Sequence, residues 1–67
     1  MSRLDLKDLQ TVCDALGSHL GRLQSSQDEY AKNGNREGAE TMRKEWHRVY
    51  GVREKVNAEI RDMIANS

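Results

Sequence analysis

Apolar residues recur in steps of three and four at Leu6, Leu9, Cys13, Leu16, Leu20 and Leu23, and the series continues through Gln27 to Tyr30. A second series, Ala39, Met42, Trp46, Val49, Arg53, Val56, Ile60 and Met63, keeps the same alternation. Such steps line side chains along one narrow stripe of an α-helix, the seam of a coiled coil. Between the two series stands Asn33-Gly34-Asn35, residue types that tolerate left-handed backbone and so permit a reversal. With the crease between Gly34 and Asn35, each seam residue of the first series meets one of the second. Leu23 then faces Trp46, Leu20 faces Val49, Leu16 faces Arg53, Cys13 faces Val56, Leu9 faces Ile60 and Tyr30 faces Ala39. The pattern predicts an all-α fold: one antiparallel two-helix hairpin over residues 1–67, coiled-coil-like.

End signals set the expected boundaries at about 5–32 for the first helix, 33–35 for the turn and 36–65 for the second helix. Ser2 or Asp5 is the expected N-cap of the first helix, with Asp5 and Asp8 adding negative charge at the positive end of its dipole. Asn35 is placed to cap the second helix, supported by Glu37 and Glu40. The chain contains no proline, so nothing breaks two helices of this length. In the seam, Arg53 is expected to lay its methylene stem along the apolar stripe and turn its head to water.

Composition changes this picture in one respect, by making the core thin. Only 36% of the 67 residues are hydrophobic, and 33% are charged. Zero net charge and an almost unbroken period argue for folding over disorder. Basic and acidic residues are balanced in both halves, which removes the electrostatic case for nucleic acid or an anionic membrane as partner. No apolar run approaches the roughly 18 residues of a membrane span, the N-terminus lacks a signal-peptide core, and a single cysteine makes no internal disulfide. A cytoplasmic, reduced setting is the expectation.

A thin core makes the glycines informative. Gly17, Gly21 and Gly51 fall inside helices, each costing about 1 kcal/mol relative to alanine. Together they approach the ~3–5 kcal/mol that a core of this size supplies, so further burial is expected to offset them. Gly17 and Gly21 share a face beside the seam with Tyr50 and Ile64, and in this register Gly17 lies next to Tyr50. The other flank carries Val12, Ala15, His19 and Val52. Val12, Gly17, His19, Gly21, Tyr50, Val52 and Ile64 are therefore the candidate interface residues, and a homodimer completing a four-helix bundle is expected.

Chemistry-bearing residues are few. Cys13 belongs to the seam, and Cys13, His19 and His47 lack metal-ligand spacing, so no catalytic residue, metal or cofactor is expected. Arg43, Lys44, His47 and Arg48, with Arg36 nearby, form a candidate anion contact on the second helix, interspersed with Glu40 and Glu45. Glu40 stands four residues before Lys44, the favourable order for a helical ion pair. In outline the hairpin resembles small co-chaperones, secretion-needle subunits, plasmid copy-number regulators and short phage proteins, with no residue-level match to any. The expected function is a non-catalytic protein–protein interaction module, an adaptor, co-chaperone or regulator such as a phage or plasmid accessory protein. Its alternative is a small nucleic-acid- or nucleotide-binding regulator using the basic cluster.

Overall fold

The computed structural model describes residues 4–66. They form two helices, α1 (Leu6–Lys32) and α2 (Arg36–Ala65), packed against each other along their length. Asp5 caps α1: its Oδ1 accepts from the Asp8 amide at 2.8 Å, and Asp8 Oδ2 accepts from the Asp5 amide at 3.5 Å. The capping box is thus Asp5 with Asp8; Ser2 lies outside the described residues.

The reversal is a Schellman motif. The Gly34 amide donates to Ala31 O at 3.1 Å, and the Asn35 amide to Tyr30 O at 2.8 Å. Gly34 takes the positive φ, 74°, that this motif places just past the helix end and that a Cβ disfavours. Asn35 closes one helix and opens the next, its Oδ1 accepting from the Gly38 amide at 2.9 Å.

Among the described residues five form the buried core, Leu9, Cys13, Leu20, Leu23 and Val49, and all five lie on the two seams. Leu20, Leu23 and Val49 make its centre, with Leu16, Met42 and Trp46 packed around them. Two contacts fix the register: Cys13 Sγ donates to Asn57 Oδ1 at 3.0 Å, and Arg53 lies against Gly17. The top layer departs from the expected pairing of Tyr30 with Ala39. The Tyr30 ring instead lies over Gly38, whose missing side chain leaves room for it, and Tyr30 stays 38% exposed.

The result is a slab of 50 × 22 × 14 Å, one helix thick, with two broad faces. Its accessible surface is 5372 Å², whereas a monomer of this mass, 7.7 kDa, ordinarily exposes about 4,300 Å².

Candidate interaction surfaces

The first broad face is built around Gly17, Gly21 and Tyr50. Tyr50 stacks on Trp46 with ring centroids 5.2 Å apart and planes 13° from parallel, and His47 meets Trp46 edge-on at 5.3 Å. Trp46 thereby joins the core to the surface: one part packs against Leu20, Leu23 and Val49, while its ring supports a tyrosine that is 41% exposed. The Tyr50 hydroxyl donates to the Glu54 carboxylate, and that bond to a negative charge raises the tyrosine's pKa above its ordinary value.

Arg53 lies along the seam as expected, but only part of its head reaches water. Its guanidinium packs on Gly17, with Nε 3.7 Å from where a Cβ would stand, and Nε is sealed from solvent without a hydrogen-bond partner. A Cβ at Gly17 would make ordinary van der Waals contact with the guanidinium, whereas a longer side chain there would occupy its place. Gly17 is therefore seated against Arg53 within the hairpin, whereas Gly21 has open space around it.

The second broad face carries Val12 and Val52, 36% and 38% exposed, with exposed Ala15 and half-buried His19. Ile64 lies near the open end of the hairpin and is exposed. An open cleft at that end is lined by Leu4, Leu6, Met63 and Ile64 with Glu59 and Asp62 on its rim.

The candidate anion contact is half neutralised by its own helix. Arg43 donates from Nε to Glu40 Oε2 at 3.0 Å and from Nη2 to Glu40 Oε1 at 2.6 Å. Arg48 grips Glu45 in the same two-pronged way. These bonds hold both carboxyls below their ordinary pKa and both guanidinium groups above theirs. Glu40 thus takes Arg43, three residues on, as its bonded partner, where Lys44 was expected; Lys44 contributes only a lesser charge effect. Lys44 and His47 are exposed beside these pairs. Among the described residues no three His, Cys, Asp or Glu side chains gather as metal ligands would, and no helix is long and apolar enough to cross a membrane.

No family model matches this chain, and no curated protein or solved structure matches it either. Sequence reasoning missed the partnerships of Arg53 with Gly17, Tyr30 with Gly38 and Cys13 with Asn57. Each involves a seam residue and a position one step outside its facing layer, and a signal for two of them was present in the glycines themselves.

Proposed function

We propose that this chain is a non-catalytic interaction module, a small adaptor, co-chaperone or regulator. In this reading it pairs with a second copy as a four-helix bundle and holds another protein on a helix face. The observation that carries the reading is the surface left uncovered. The slab exposes 5372 Å², about 1,000 Å² more than its mass requires. A standard protein–protein interface takes roughly 600–1,000 Å² from each partner, so one covered face accounts for the excess. Exposed Val12, Val52 and Tyr50 supply apolar contact on the two faces. The engagement of Arg43 and Arg48 with Glu40 and Glu45 favours protein over nucleic acid as partner, since phosphate binding draws on unpaired cations.

The test compares capture from the source cell by the tagged chain and by its Val12→Asp/Val52→Asp variant, with helix content checked by circular dichroism. The expected result is a discrete polypeptide retained by the parent at both about 50 and about 200 mM salt and lost by the variant. Co-eluting nucleic acid that disappears over that salt range, or no difference between parent and variant, overturns the reading.

A further inference from the structure

We infer that a second copy of this chain docks on the Gly17–Gly21–Tyr50 face, inverted end for end, about a two-fold axis that crosses the helices near Tyr50. This inference rests on the self-pairing proposed above and adds to it the face, the orientation and the residues that choose them.

The argument starts from three rungs of charge on that face. The register set by Cys13–Asn57 and Gly17–Arg53 brings Lys7 level with Arg61 near the open end of the hairpin. About two turns further along, Asp14 is level with Glu54, and near the turn Asp28 is level with Glu40. All six are exposed. On every rung the two helices carry the same sign, so no rung is neutralised across the hairpin; near the turn Arg43 pairs with Glu40 along α2, which leaves Asp28 as the carboxylate of that rung outside an ion pair. A face striped in this way calls for a partner whose stripes are opposite.

The same face supplies them when inverted. Turning a second hairpin end for end sets Lys7 and Arg61 of one copy over Asp28 and Glu40 of the other, and by symmetry the reverse. The middle rung, Asp14 and Glu54, then lies over Gly21 and His47. The aligned alternative, with α1 of one copy over α2 of the other and open ends together, sets cation on cation and carboxylate on carboxylate at all three rungs. Charge therefore selects inversion.

Shape agrees with charge. Inversion through the Lys7–Asp28 and Arg61–Glu40 rungs centres the pair close to Gly17 and Tyr50, about mid-length, so the two slabs overlap almost end to end. At the centre Tyr50 of one copy meets Tyr50 of the other, and on α1 Gly21 has open space where Asp14 of the other copy lies over it. A face of 50 × 22 Å is ample for a standard interface. The Val12–Val52 face does not serve as well. Asp5, Asp8, Glu59 and Asp62 crowd its open end, and they reach Arg22 and Arg48 of an inverted copy only if the slabs slide apart by roughly a third of their length. That face is left for the other partner.

Charge reversal with rescue tests the inference on the full chain, read by sedimentation equilibrium at low salt with helix content followed in parallel. The parent is expected at twice its 7.7 kDa mass at micromolar concentration. Lys7→Glu and Asp28→Lys, which leave the Arg43–Glu40 pair intact, are each expected to weaken self-pairing by roughly tenfold or more. An equimolar mixture of the two variants is expected to pair about as tightly as the parent. Should a variant lose helix alone, recovery of helix and of the dimer on mixing supports the inference, and failure to recover overturns it. Variants that pair as the parent does overturn the face and orientation while leaving self-pairing intact. A parent that stays at 7.7 kDa overturns the second copy as occupant, and the adaptor reading is then judged by the capture experiment alone.

Discussion

Gly38→Ala is the substitution on which helix propensity and packing disagree most sharply. Propensity alone favours it, since alanine in place of glycine stabilises a helix by up to about 1 kcal/mol. Packing opposes it, because a Cβ at Gly38 would stand 2.7 and 2.8 Å from two carbons of the Tyr30 ring and 3.0 Å from Asn35 Nδ2. Forcing an extra methyl into a filled site costs roughly 1–3 kcal/mol, so the expected net effect is a loss of about 1 kcal/mol. For a domain of this size that lowers the melting midpoint by roughly 4–8 °C. On a Tyr30→Ala background the two ring contacts are gone and only the Asn35 Nδ2 contact must give, so the same change should stabilise by up to about 1 kcal/mol. The two backgrounds thus differ by about 2 kcal/mol, a coupling well inside the range for residues in contact. Gly51→Ala is the control: nothing lies within 4 Å of its Cβ position, so it should stabilise by about 1 kcal/mol on either background. The assay is thermal and urea unfolding followed by circular dichroism at one fixed protein concentration. Equal stabilisation by Gly38→Ala with and without Tyr30 would refute the contact, and with it the account of how the turn is closed.

Arg53→Met keeps an unbranched stem on the seam and removes a sealed, unpartnered Nε. It should stabilise the hairpin by about 1 kcal/mol in urea melts, since a buried unsatisfied donor costs roughly 1–3 kcal/mol; a clear loss of stability would show that the guanidinium's packing outweighs that cost. Glu40 and Glu45 have folded-state pKa values below 4.5, chiefly through their bonds to Arg43 and Arg48. Their contribution is therefore complete above 4.5 and fades as pH falls through the lowered folded values, so Glu40→Gln/Glu45→Gln should flatten the acid side of a melting-midpoint profile, and an unchanged profile would remove these pairs from the account. Glu54→Gln should lower the pKa of Tyr50 in an absorbance titration, because the carboxylate it replaces is what raises it.

The fold was legible because its signal is periodic. Every buried residue among those described, Leu9, Cys13, Leu20, Leu23 and Val49, sits on the 3-4 alternation, and Gly34 supplies the left-handed residue that a reversal demands. What periodicity does not encode is where a long side chain turns once it leaves the backbone. Arg53 has a seam position and a four-bond reach, and the room beside Gly17 lets its guanidinium settle there with Nε sealed. Glu40 has Arg43 and Lys44 within range on the same helix, and the rotamer that lets Arg43 bind with two nitrogens decides between them. The candidate surfaces were legible as a set of exposed apolar and glycine positions, because helical spacing divides them between two flanks. Which flank receives what was not, because it depends on the heights of side chains across two helices, which the seam period by itself leaves open by whole layers.

Those heights also explain why a thin hairpin keeps polar and glycine residues where leucine would stabilise more. A seam of leucines repeats every heptad and fits itself almost as well after a slide of one layer. Arg53 does not. Gly17 offers it room, whereas the equivalent places one heptad away on α1 are Gln10 and Gln24, whose side chains would occupy that space. Tyr30 likewise fits only over Gly38, and Cys13 reaches a carbonyl oxygen only at Asn57. The Arg53 and Tyr30 pairs give up stability, through an unpaired Nε or a glycine inside a helix, and all three admit one register. One register is what levels Lys7 with Arg61, Asp14 with Glu54 and Asp28 with Glu40. A slide of a single layer would scatter those rungs and leave no striped face. The residues that weaken the hairpin as a monomer are thus the ones that align its surface charges, and such an exchange favours a chain whose remaining stability comes from what it binds.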